Sequence, residues 1–263
     1  MDCIIIAGGL ATPEEPMYAL TQGQPKALLP MGDRTMLERV VDAVQGSQYV
    51  ENVVVVGLGS DMGMTFQRPV THLPDHGSLV GNIVAGVNWV RERQPDTKMV
   101  LGASADVPLL TSQMVDTLVE MCRPFDASVY YTYVTRQTME TRFPHSNRTF
   151  VKLKGIEIAG GDLGLMNPTV IDNNEELFTA LSNARKHAWK IARVVGIGLL
   201  LKFLFRRLGP KEIETEAFRV VGAPVKTINL PYAEMAMDAD KPHQVEMLRA
   251  ELERLDNRSA ANN

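Results

Sequence analysis

The stretch Cys3-Ile4-Ile5-Ile6-Ala7-Gly8-Gly9-Leu10 constrains the fold more than any other. A short apolar run rich in β-branched residues reads as a buried parallel strand, and the paired glycines break it into a loop. Glycine carries no Cβ, so the backbone of that loop can approach a ligand closely, and exposed N–H groups there suit phosphates. After a polar loop comes Gln24-Pro25-Lys26-Ala27-Leu28-Leu29-Pro30-Met31-Gly32. Further along, Met99-Val100-Leu101-Gly102-Ala103-Ser104-Ala105-Asp106-Val107-Pro108 places a carboxylate just past the end of another apolar run. Ligands of open α/β sheets collect at the carboxyl ends of strands, so the glycine loop and Asp106 are expected to face one crevice.

The intervening pattern supports that reading. Met36, Leu37, Val40, Val41 and Val44 fall at helical spacing, and Asn52 to Val56 reads as a short buried strand. Val80, Ile83, Val84, Val87 and Val90 trace a second helix face, and Met114, Val115, Leu118, Val119 and Cys122 a third. Strands alternating with helices predict an α/β fold, a Rossmann-like, mostly parallel sheet with helices on both faces. Ala127 to Thr135 reads as a further strand, whereas Phe143 to Asp162 is rich in turn residues. A last helix opens near Pro242 and carries Val245, Leu248, Leu252 and Leu255. The expected organisation is a single domain over 1–256, with 137–225 as a variable, acceptor-side region and a polar flexible tail at 257–263.

Composition narrows the partners. The formal net charge of −4 offers no broad electrostatic footprint for nucleic acid. Cys3 and Cys122 are the only cysteines, so no disulfide framework is implied, and both read as reduced core residues of a cytoplasmic protein. The opening apolar run is preceded by Asp2 and is too short for a signal peptide. One segment departs from the soluble pattern. His187 to Leu208 holds Val194 to Leu201 and Phe203-Leu204-Phe205, with Lys190, Arg193, Lys202, Arg206 and Arg207 interspersed. That run is too short to span a bilayer. A core or homo-oligomer-interface helix is the favoured reading, and a peripheral membrane contact the alternative.

In their order, the Ala-Gly-Gly loop, Pro25-Lys26-Ala27-Leu28-Leu29-Pro30 with Gly32, the Asp106-Val107-Pro108-Leu109 turn and Asp238-Ala239-Asp240-Lys241-Pro242 resemble the nucleotidyltransferase superfamily. Its members include sugar-1-phosphate nucleotidyltransferases and molybdenum cofactor guanylyltransferases, and the chain is most similar to the latter, MobA-like branch. The resemblance extends from residue 3 to about residue 252 and is loose over 137–225. It implies a nucleotide-diphospho-sugar transferase-like fold and a Mg2+-dependent transfer of a nucleoside monophosphate from a nucleoside triphosphate (NTP) to a phosphorylated small-molecule or lipid-linked acceptor, with release of pyrophosphate. By the same resemblance, Ala7, Gly8, Gly9 and Gly77 would contact the nucleotide and Lys26 would neutralise its phosphates. Asp106 and Asp240 would hold Mg2+, with Asp238 beside them, and Gly160-Gly161-Asp162 would face the acceptor.

Each residue also has a plainer explanation. Lys26 would otherwise be a solvated lysine, Ser78 a helix cap in His76-Gly77-Ser78-Leu79-Val80-Gly81-Asn82, Asp240 an N-cap before Pro242, and Gly160-Gly161-Asp162 a turn. The five histidines, His72, His76, His145, His187 and His243, show no metal-like clustering. One departure from the family pattern stands out. Many members carry an arginine shortly after the glycines, yet Leu10 to Gln24 holds Glu14 and Glu15 and no lysine or arginine. The alternative function is therefore a catalytically weak nucleotide-binding protein of the same fold.

Overall fold

The computed structural model describes residues 1–172, 174, 176–177, 180 and 208–261. The chain opens on strand β1 (Cys3–Ile6), followed by a short helix α1 (Tyr18–Thr21), a 3-10 turn at Lys26–Leu28, and a ribbon of β2 (Pro30–Met31) and β3 (Arg34–Thr35). Then come α2 (Met36–Gln45), β4 (Val53–Val56), β5 (Thr71–Leu73), α3 (Leu79–Arg93), β6 (Val100–Ser104) and α4 (Ser112–Cys122). The second half holds β7 (Val129–Thr135), α5 (Arg136–Arg142), β8 (Val151–Leu153), β9 (Ile156–Gly160), β10 (Leu163–Met166) and α6 (Thr169–Asp172). It closes with α7 (Pro210–Val221), β11 (Val225–Asn229) and α8 (Pro242–Ala261).

The main sheet has the order β5-β4-β1-β6-β10-β7-β9-β8, with β11 also on β7. β1 lies between β4 and β6 and runs parallel to both, as β4 does to β5. β10 is antiparallel to β6 and to β7, and β9 is antiparallel to β7 and to β8. β11 is parallel to β7. Among the described strands only β9 and β10 thus run against the rest, and the sheet is mostly parallel. Successive residues of a strand face opposite sides, which divides β1 between two cores. Cys3 and Ile5 pack with Leu37, Val41, Val115 and Leu118 of α2 and α4. Ile4 packs with Val87 and Val90 of α3. Burial on both faces explains the continuous apolar runs at β1 and β4.

Polar residues begin the helices as expected. Thr35 accepts the Glu38 N–H while Glu38 accepts that of Thr35, a reciprocal cap at the start of α2. One expectation needs correcting. Residues 143–162 are not merely turns: they contain the antiparallel pair β8 and β9, joined across Gly155 at φ 73°. Helix α8 continues to Ala261, into the segment expected to form the tail. The 187–207 segment lies outside the described residues; Leu208, at its end, is buried. No helix among the described residues is long and apolar enough to cross a membrane.

Gly57, just beyond β4, holds φ at 122°, and a Cβ there would stand 2.2 Å from the Gly8 nitrogen. This contact presses the β4 exit against the glycine loop. Gly57→Ala should therefore cost at least about 2 kcal/mol, from backbone strain plus steric overlap. Gly63→Ala, where φ is 80° and nothing lies within 4 Å of the added methyl, should cost no more than about 1–2 kcal/mol from strain alone. Thermal melts of the two variants check the difference, and equal losses would remove the packing argument.

Candidate active site

The register of the central strands builds the site. Ile6 of β1 is paired with Ser104 of β6, so the loops after both strands leave the sheet at one level. Ala7 donates its N–H to Val56 O and Ala105 donates to Ile6 O, 2.8 and 3.0 Å, holding the first residues of each loop in line with the sheet. Gly9 turns the chain at φ 98° with open space around it. The loop then returns, Leu10 bridging to Pro25, and delivers Lys26 at the start of its 3-10 turn.

Lys26 is no solvated lysine. Its Nζ donates to Asp106 Oδ2 at 2.5 Å and to Asp240 Oδ1 at 3.0 Å. Burial works against the ammonium charge, but the Asp106 and Asp240 carboxylates outweigh it and hold the pKa above the ordinary lysine value. Asp106 is aimed from behind by Ser104, whose Oγ donates to Oδ1 at 2.5 Å. The Ala239 N–H donates to Asp106 O at 3.1 Å and ties the late loop to the β6 exit. Gln244, one turn into α8, accepts the Asp240 N–H at 3.1 Å. Carboxylate oxygens of Asp106, Asp238 and Asp240 lie within 4.8 Å of one another. Asp238 is buried and ion-paired with Arg148. Hard carboxylate oxygens in this number suit a hard divalent cation such as Mg2+.

Arg148 and Asp162 complete the charged centre. Asp162, between β9 and β10, is pushed up to about 8 by burial and by the neighbouring Asp106 charge, against the pull of Arg148. A lone arginine in a turn-rich stretch gave no sequence signal for Arg148. Ser104 lay in plain view within the β6 motif, two residues before Asp106, but its role required the alternation of a strand end.

The Gly77 loop is braced from within. Ser78 caps α3 by accepting the Gly81 N–H at 2.9 Å, as its plainer explanation had it. Asn82 is buried and braces the loop, accepting the His76 N–H at 2.7 Å and donating to Asp75 Oδ1 at 2.9 Å. Asp75 also accepts the Gly77 N–H at 3.2 Å. Gly77, at φ 75°, thus sits in a braced turn. Glu15, a concern because of its charge, folds onto its own loop by accepting the Thr12 N–H at 2.9 Å. None of the described histidines joins the carboxylate cluster.

Comparison with known proteins assigns the chain to a family. The family described as the MobA-like NTP transferase domain matches residues 3–194, most of the chain. The chain belongs to this family. Within it, or close to it in fold, stand proteins of named activity. This MobA-like NTP transferase chain is 31% identical over 119 residues to a molybdenum cofactor guanylyltransferase of Rhodopseudomonas palustris (strain HaA2), covering 44% of this chain and 51% of that one. It thus spans about half the length of that relative. A solved structure described as a hypothetical transferase from Thermus thermophilus is 30% identical, with 93% of this chain and 98% of that chain covered and a TM-score of 0.79. A 2-C-methyl-D-erythritol 4-phosphate cytidylyltransferase, also from Thermus thermophilus, shares the fold, with 13% identity, a TM-score of 0.56, and 96% and 100% coverage.

The Lys26 bridge has a stability signature. Lys26→Met leaves two carboxylates facing each other and should cost about 1–2 kcal/mol near neutral pH, below the figure for a fully buried pair because the Asp240 side chain is 60% exposed. The folded pKa of Lys26 is raised, so its contribution is complete below the unfolded lysine value near pH 10 and is lost as pH rises through the folded value. Paired melts of wild type and variant from pH 7 upward check this: the gap should hold to about pH 10 and then close. No gap at pH 7 would show that the bridge contributes nothing net.

Proposed function

We propose that this nucleotidyltransferase-family chain transfers a nucleoside monophosphate from an NTP to a phosphorylated acceptor, with Mg2+ as cofactor and pyrophosphate as leaving group. The observation that carries the reading is the convergence of Lys26, Asp106 and Asp240, from three distant parts of the chain, beside the glycine loop. An acceptor phosphate is already anionic near neutral pH, so its oxygen can attack the α-phosphorus in line without a serine, cysteine or histidine nucleophile. What the protein must supply is position and charge neutralisation. The glycine-loop N–H groups and the Lys26 ammonium would receive the triphosphate. Asp106 and Asp240, with Asp238, would hold Mg2+, which supplies Lewis-acid stabilisation of the phosphoryl oxygens when bound. The guanylyltransferase and cytidylyltransferase names of the relatives support the nucleotidyl class. A second reading, nucleotide binding with little turnover, is favoured by the absence of lysine and arginine between Leu10 and Gln24.

Pyrophosphate release across the common NTPs, each with phosphorylated acceptors, separates the two readings. Asp106→Asn should lower turnover by about 10²-fold or more, with the melting temperature close to wild type. Asp240→Asn should raise the Mg2+ concentration needed for half-maximal rate, and a wild-type Mg2+ profile in Asp106→Asn would sink the proposed site.

Lys26 Nζ occupies the space between the carboxylates that a metal would share, so ammonium and divalent cation compete there. Lys26→Met should bind Mn2+ more tightly than wild type in the absence of nucleotide, by roughly tenfold if about 1.4 kcal/mol of ion pairing is released. The same variant should bind NTP more weakly. Calorimetry on the nucleotide-free proteins tests the first point, and equal Mn2+ affinities would refute the competition.

A further inference from the structure

Asp106 and Asp240 are held in different ways. Asp106 follows a strand whose register is fixed on both sides, with Ser104 behind its carboxylate. Asp240 stands in the loop before α8 and its side chain is 60% exposed, so its place depends on how firmly its backbone is held. The buried anchor is Gln244. Its Oε1 accepts the Asp240 N–H at 3.1 Å, and its Nε2 donates to Ser146 O at 3.0 Å. A glutamine at the third position of a helix ordinarily reaches back to the N-cap residue, which here is Lys241. Gln244 reaches one residue further, and its amide N–H leaves the helix for a separate loop.

That loop carries Arg148. Ser146 is buried, and its carbonyl also lies 3.2 Å from His243 Nε2. Lys241 Nζ donates to Asn147 O at 2.9 Å, where Asn147 turns the chain at φ 50°. Arg148 pairs with Asp238. Residues 146–148 are thus bonded at each position to the segment 238–244, and the Gln244 amide alone joins Asp240 to that loop through a single buried side chain. We propose that Gln244 is a positioning residue for the cation centre: it fixes Asp240 directly and Arg148 through Ser146, so that the carboxylates keep their spacing before a cation arrives. The inference rests on the Mg2+-dependent reading above and assigns the residue that sets its geometry. A group that orients a metal-binding carboxylate without touching the metal commonly governs affinity by about 10- to 100-fold, because a ligand set already in place has less freedom to lose on binding.

Gln244→Met keeps the side-chain length and removes both bonds. Its matched control is Gln45→Met. Gln45 is also buried and also spans one backbone N–H and one backbone carbonyl, both of Arg68, at 3.0 and 2.9 Å. Arg68 in turn donates to Val50 O and Glu51 O, before the entry to β4, so this amide lies at the opposite end of the parallel strands from Asp106. The measurements are Mn2+ binding to the nucleotide-free proteins by calorimetry, melting temperatures, and the Mg2+ dependence of pyrophosphate release. Gln244→Met should weaken Mn2+ binding by about tenfold or more and raise the Mg2+ concentration for half-maximal rate to match. Gln45→Met, with a comparable fall in melting temperature, should leave both unchanged. Gln244→Asn keeps the amide but is one methylene short of spanning both partners, so it should weaken Mn2+ binding in the same direction with a smaller loss of stability, which covers the case of a poorly folding Met variant. Wild-type Mn2+ affinity in the Gln244 variants would overturn the assignment. An equal loss in Gln45→Met would overturn it too, reducing Gln244 to a general contributor to stability. Wild type that binds no Mn2+ would bring down the cation reading and the assignment with it. The expected pattern of Mn2+ affinities, without turnover of any NTP, would support the positioning role and remove the transfer reading instead.

Discussion

A single ammonium group holds the functional end of this protein together. Lys26 reaches carboxylates 80 and 214 positions away in the chain, and Asp238 adds a third carboxylate oxygen within 4.8 Å of theirs. Like charges at this spacing repel, and they stay together only because cations stand among them. Lys26 serves Asp106 and Asp240, and Arg148 serves Asp238. Such a cluster contributes little to stability, since desolvating charges costs free energy that their attraction scarcely returns. Its presence at the carboxyl ends of β1 and β6 is therefore not accounted for by what it adds to folding.

The apolar framework makes that arrangement possible. β1 is sheathed on one side by α2 and α4 and on the other by α3, so its exit cannot shift without opening both cores. The Ile6 and Ser104 register then sets the glycine loop beside Asp106, and the Ala239 to Asp106 backbone bond brings in the late loop. Around the crevice, polar side chains brace the loops. Asn82 and Asp75 commit hydrogen bonds to the turn that carries Gly77, and Ser78 caps the helix that follows it. Preorganisation of this kind lets backbone N–H groups meet a phosphate without reordering.

The first loop contributes no cation to the site. Between Leu10 and Gln24 there is no lysine or arginine, and Glu15 turns back on Thr12. Arg148 comes from the segment preceding β8, which as sequence offered only turn residues. The β8 and β9 hairpin in that stretch was illegible for the same reason: its strands are short and the polar residues Lys152 and Glu157 lie on an exposed or half-exposed face, so alternation has too few residues in which to show.

The sequence by itself determined the parallel core, because strands buried on both faces must be continuously apolar and the helices between them must carry a stripe every 3.6 residues. It also showed Asp106 as a carboxylate just past an apolar strand, whereas Lys26 and Asp240 stood out only through the resemblance to the nucleotidyltransferase superfamily. Only the tertiary structure decided which groups meet. That Lys26 lies between two aspartates, that Ser104 aims Asp106 and that Asn82 braces a loop all depend on strand order and register across the sheet. Those are set by packing energies summed over the whole core, and no short window of sequence contains them.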